Sequence, residues 1–125
     1  MTLIPTHLAA YGTLKQEFGR WPSLGMEECR VVGTVPLKGR LYNLGWFPGL
    51  VPTEEGEVTA ELIELNGSIP RIERALDRYE GAPDFFGKSV VQTVIEGKII
   101  NVLQYYWQND LPNDAKEISA FTKAG

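Results

Sequence analysis

Apolar and polar positions alternate over several short stretches of the chain, and that rhythm marks strands. In "EVTAELIEL" (Glu57 to Leu65), Val58, Ala60 and Leu62 alternate with Thr59 and Glu61. "SVVQTVIE" (Ser89 to Glu96) and "KIINVLQYYW" (Lys98 to Trp107) flank Gly97 and predict an antiparallel hairpin turning at "EGK". "THLAAY" (Thr6 to Tyr11) reads as a first strand that runs into a turn at Gly12 and Thr13. "CRVVGTV" (Cys29 to Val35) and "LKGRLYNL" (Leu37 to Leu44) read as two more, separated by Pro36. "FGRWPSLG" (Phe18 to Gly25) reads as loop or short helix with Trp21 as a core anchor, and "GWFPGLVP" (Gly45 to Pro52) as a loop. The tail from Asn113 to Phe121 predicts a short helix capped by Asn113.

One stretch repeats with the period of a helix. Ser68 can serve as N-cap, Pro70 fits the first turn, and Ile69, Ile72, Leu76 and Tyr79 form the apolar stripe. Gly81 suits the left-handed position that ends helices. Arg71, Arg74 and Arg78 fall on other faces and read as a solvated surface, partly paired with Glu73 and Asp77. The elements together predict an α+β fold: strands, one clear helix and one or two short ones, with the sheet closed or half-closed. The length of 125 residues fits a single domain, residues 1–125.

Composition acts mainly by exclusion. Glycine (13) and proline (8) favour many turns and hence a strand-rich fold. The formal charge of −4 gives no support to nucleic-acid or anionic-membrane partners, which call for a basic patch. No segment approaches the ~20 apolar residues of a membrane span, and Met1 to Thr6 lacks the regions of a signal peptide. Cys29, the only cysteine, cannot form an internal disulfide and reads as a small buried residue on the same strand face as Val31. A reducing, cytoplasmic setting is the expectation. His7, the only histidine, reads as structural. No Cys/His cluster has zinc-ligand spacing, no carboxylate set suggests a metal, and there is no phosphate loop or G-x-S-x-G elbow.

Two features carry candidate chemistry. At about 100° per residue, Glu80 projects within about 40° of Leu76, at the border of the buried stripe. Partial burial and the helix C-terminus both raise the pKa of a carboxyl there, toward the range useful for proton transfer. A solvated glutamate at a frayed end is the competing reading, and Asp77, Glu73 and Asp84 lie close enough to play the same part. The second feature is "AAYGTL" (Ala9 to Leu14), where a glycine at a strand end lets successive N–H groups converge on an anion. By itself the signal is weak, and a tight turn without a ligand is the favoured reading.

The motifs fall in order: "YGTL" (Tyr11 to Leu14), "GRLYNLGWFPGLVP" (Gly39 to Pro52), "VTAELIEL" (Val58 to Leu65) and "LDRYEG" (Leu76 to Gly81). This order resembles the γ-glutamylcyclotransferase-like superfamily, with its γ-glutamylamine cyclotransferases and AIG2-like proteins, over roughly residues 6 to 107. The resemblance implies a small mixed β-barrel of about five to seven largely antiparallel strands. It implies substrate binding by Tyr11, Gly12, Thr13 and Leu14, and a proton-shuttling Glu80. The implied reaction converts a γ-glutamyl amine or peptide to 5-oxoproline and free amine, without metal or cofactor and with a small molecule as the partner. The leaving amine and the oligomeric state stay open. The sequence departs from the family pattern in two places. Phe86-Gly87-Lys88 stands where a Tyr-x-Arg is frequent, and Ala60 where a glycine before Glu61 is common. A non-catalytic small-ligand binder on the same fold, or a protein-interaction module, is the alternative.

Overall fold

The computed structural model describes residues 3–122. Eight strands and one α-helix follow in chain order: β1 (His7–Ala10), β2 (Arg30–Lys38), β3 (Arg40–Asn43), β4 (Pro48–Val51), β5 (Glu57–Glu64), α1 (Ile69–Glu80), β6 (Phe86–Ile95), β7 (Lys98–Trp107) and β8 (Lys116–Ile118). Two 3-10 helices, Gln16–Phe18 and Trp21–Leu24, lie between β1 and β2. Five strands form one sheet in the order β2-β5-β1-β7-β6, and three form a second in the order β4-β3-β8. Only β1 and β7 run parallel, so the larger sheet is mixed.

Period-two alternation on β1 explains the layering. Leu8 and Ala10 face one side and join Ile63, Leu103, Ile72 and Leu76 under α1. Ala9 and Tyr11 face the other and join Leu62, Val102, Leu41 and Leu50 under the small sheet. The larger sheet is thus covered on both faces, by a helix and by a second sheet.

The expected barrel is not formed: the sheets are not closed. The larger sheet ends at β2 and β6, and β3 pairs only with β4 and β8. Two separate layers already cover both apolar faces, so closure is not required to bury them. β2 is an open edge with mostly exposed side chains, which accommodates Pro36 inside the strand, opposite Thr59, rather than between two strands. Val31 is accordingly exposed, and does not share the burial of Cys29.

Two further expectations change. The "PGLV" part of the supposed loop is β4, because Pro48 to Val51 pair with Asn43 to Arg40. The tail does not form a helix. Ala115 N–H closes a turn on Pro112 O, and Lys116–Ile118 then add a strand to β3. The predicted helix stands: α1 begins after Ser68, carries Pro70 in its first turn and ends at Gly81 with φ 67°.

Candidate active site

The turn after β1 is fixed from several sides. The indole of Trp21 donates to Leu14 O at 2.9 Å, and Gln16 N–H donates to Glu61 Oε1 at 3.0 Å. The Tyr11 hydroxyl donates to Tyr105 O at 2.9 Å and accepts from Leu50 N–H at 3.3 Å, tying the turn to β7 and β4. Gly12 is required by close approach: a Cβ there would lie 2.7 Å from Pro48 Cγ. Among the described residues, the N–H groups of Gly12, Thr13 and Leu14 have no acceptor. That leaves three donors in succession on the turn.

The end of α1 meets this turn. Gly81 N–H returns to Arg78 O and Ala82 N–H to Asp77 O, ending the helix one residue after Glu80. Tyr79 lies on the half-exposed side of the stripe, and its hydroxyl donates to Thr13 Oγ1 at 2.8 Å. Glu80 is half-buried, and it closes a cavity of about 30 Å³ whose other walls include Tyr11, Gly12, Thr13 and Leu14. Burial pushes the Glu80 carboxyl up to about 7. The Tyr11 phenol is held well above its ordinary value by burial, with the charge of Glu80 adding to the effect.

Further walls come from Phe86, noted in the sequence only as a departure from the family pattern, and from Phe47, Pro48 and Tyr105, which the sequence did not single out. Phe86 packs edge-on against Trp107 with centroids 5.2 Å apart, and Phe47 lies 5.9 Å from Phe86 and 6.0 Å from Trp107. Phe47 and Phe86 give the cavity an apolar wall, with Trp107 packed against both. The aromatics of residues 45–52 were a visible signal, but only the pairing of β4 and the register of β7 bring them here.

The other acids are engaged elsewhere. Lys88 Nζ holds Glu73 Oε2 at 2.7 Å and Asp77 Oδ2 at 2.8 Å, while Asp77 Oδ1 accepts from Tyr105 Oη at 2.7 Å. Glu73 and Asp77 therefore pair with Lys88 and not with the arginines of α1. Burial alone would lower the Lys88 pKa, but its bonds to Asp77 and Glu73 outweigh that and raise it. Asp84 is exposed and lies outside the cavity wall. Lys88 does not line the cavity, whereas Phe86 does.

His7 bonds Thr6 Oγ1 through Nδ1 at 2.8 Å, and burial lowers its pKa against the opposing charge of Glu64. Cys29 is buried, and its sulfur exchanges hydrogen bonds with the backbone of Asn66. Among the described residues, no group of three or more His, Cys, Asp or Glu side chains could hold a metal ion, and no helix is long and apolar enough to cross a membrane.

Thr13, Phe47, Glu80 and Phe86 also line a surface groove of about 600 Å³. The site can thus offer one half-buried carboxyl titrating near neutrality, three backbone donors and an apolar wall, with open space alongside.

Comparison with known proteins gives a consistent picture. A sequence model described as "Gamma-glutamyl cyclotransferase, AIG2-like" matches residues 8–122. None of the curated proteins searched matches the chain. Among solved structures, a mouse AIG2-like protein is similar at 19% identity and TM-score 0.73, covering 96% of this chain and 90% of its own. Protein YtfP from Escherichia coli is similar at 23% identity and TM-score 0.64, covering 91% and 92%. A protein from Arabidopsis thaliana is similar at 24% identity and TM-score 0.59, covering 91% and 76%. At these identities the solved structures speak for the fold.

Proposed function

The chain belongs to the γ-glutamyl cyclotransferase, AIG2-like family, and from that premise we propose that it converts a γ-glutamyl amine or peptide to 5-oxoproline and the free amine. Membership supports a cyclotransferase type of activity. The observation that carries the specific reaction is the convergence of Glu80 and residues 11–14 on one cavity.

In this reading the Glu80 carboxylate takes a proton from the substrate's α-ammonium. The freed nitrogen attacks the γ-carbonyl carbon, closing a five-membered ring. The oxyanion that forms is stabilised by the N–H groups of Gly12, Thr13 and Leu14. Collapse breaks the bond to the leaving nitrogen, which receives the proton that Glu80 carries, and the ring nitrogen gives its second proton to the carboxylate so regenerated, leaving the neutral lactam. One group serves as base and then acid, so a pKa near the working pH suits both halves. The attack is intramolecular, so the protein has to orient the chain rather than bring two reactants together. The single buried thiol suits a cytoplasmic setting.

The test is release of 5-oxoproline from a panel of γ-glutamyl amines and peptides, with Glu80→Gln assayed beside the natural chain. Turnover that falls about 10²–10⁴-fold in the variant supports the shuttle. Equal turnover removes Glu80 from the mechanism, and no turnover by either removes the enzyme reading.

A further inference from the structure

The groove outside the cavity carries exposed aromatic rings. Trp46 is 93% exposed and Phe85 61% exposed, and both line it together with Tyr79. Trp21, by contrast, is buried and hydrogen-bonded. Large aromatic rings left in water beside a cavity mark a surface built to be covered. The charged residues of the groove are Arg20, Arg78 and, at its inner end, Glu80. Among the described residues neither guanidinium is in an ion pair. Two arginines line this groove in a chain whose net charge is −4. A planar guanidinium is a geometric match for a carboxylate, and a leaving group that carries a cation of its own would be repelled.

We propose that this groove holds the leaving group, and that it selects γ-glutamyl conjugates of amino acids or peptides carrying both an aromatic side chain and a carboxylate. The ring lies against Trp46 and Phe85, and the carboxylate meets Arg20 and Arg78. The proposal rests on the cyclotransferase reading and adds the identity of the leaving amine. The lactam C–N bond forms as the amide C–N bond breaks. The nitrogen accepts the proton from Glu80 and departs as the free α-amine of the aromatic amino acid. A polyamine or a lysine side chain would place its remaining cation against the two arginines.

Three probes separate the contributions: γ-glutamyl-phenylalanine, γ-glutamyl-phenethylamine, which lacks the carboxylate, and γ-glutamyl-glycine, which lacks the ring. We expect kcat/KM for the first to exceed that for each of the others by about tenfold or more, as the loss of a charge-assisted hydrogen bond or of a stacked ring implies. In Arg20→Gln, Arg78→Gln the ratio of the phenylalanine to the phenethylamine conjugate should fall to about one. Both arginines are exposed, and a ratio taken within one variant is insensitive to the fraction folded. Turnover of all three at similar rates would overturn the proposal and leave the cyclotransferase reading intact. Release of 5-oxoproline from none would defeat that reading. Calorimetric binding of the same conjugates then decides the groove: tighter binding of the phenylalanine conjugate, lost in the double variant, supports it, and equal or absent binding overturns it.

Discussion

The hydroxyl of Tyr79 donates to Thr13 Oγ1 at 2.8 Å, joining the last turn of α1 to the turn that follows β1. This bond ties the residue next to Glu80 to the middle of residues 12–14, so it bears on the distance between Glu80 and the donors of that turn. Tyr79→Phe should lower 5-oxoproline release several-fold, with a stability loss of about 1 kcal/mol or less. A double-mutant cycle with Thr13→Val checks it: the double variant should be little worse than either single one.

The carboxyl of Glu80 predicts a pH dependence. Its pKa is about 7 in the folded chain against an ordinary 4.5. The base form is required, so kcat/KM should rise with pH through an apparent pKa of about 7 and lose that limb in Glu80→Gln.

The same shift has a sign for stability. Folding favours the protonated carboxyl, so Glu80 weakens the fold as pH rises from 4.5 to about 7. Glu80→Gln should therefore be more stable than the natural chain at pH 8, by up to about 3 kcal/mol, and the difference should vanish below pH 4.5. Paired melting curves at the two pH values measure it.

Gly81 adopts φ 67°, and a Cβ there would lie 2.7 Å from Phe85 Cδ2. Gly81→Ala should cost at least about 1–2 kcal/mol from the backbone alone. It should also move Glu80 and so reduce turnover beyond the loss of folded protein, which titration of the folded fraction alongside activity would reveal.

Phe86 and Lys88 should separate cleanly. Phe86 touches the cavity, so Phe86→Tyr should change the relative rates among leaving amines. Lys88 holds Glu73 and Asp77 from β6, outside the cavity lining. Lys88→Met should lower stability by about 1 kcal/mol while leaving the order of preference among substrates unchanged. Kinetics on a substrate panel with melting temperatures decides both.

What could be read from the sequence was what is contiguous in it. The helix announced itself through Ser68, Pro70 and Gly81 together with the spacing of Ile72 and Leu76, and that spacing put Glu80 at the border of the buried stripe, while its role came only with the resemblance. Tyr11 to Leu14 form one unbroken turn. Phe47, Phe86, Tyr105 and Trp107 were not legible as a wall, because strand pairing between distant segments brings them together. Lys88 reaches Asp77 across two elements, so local charge spacing on α1 suggested the wrong partners. The open sheet was missed for a related reason. Alternation fixes which side chains share a face, but not whether two edges meet. The tail was misread because Asn113 resembles a helix cap, whereas the open edge of β3 decides the outcome.

The position of β1 bears on how the molecule comes into being. It lies between β5 and β7, and Asn101 N–H reaches back 95 residues to Thr6 Oγ1 at the start of that pairing. On the ribosome, the strand destined for the middle of the sheet emerges before either neighbour exists. Pairings this distant in sequence slow folding and leave strands uncovered in the meantime. β1 is therefore a strand whose second edge is sealed late, when the hairpin of β6 and β7 has left the exit tunnel.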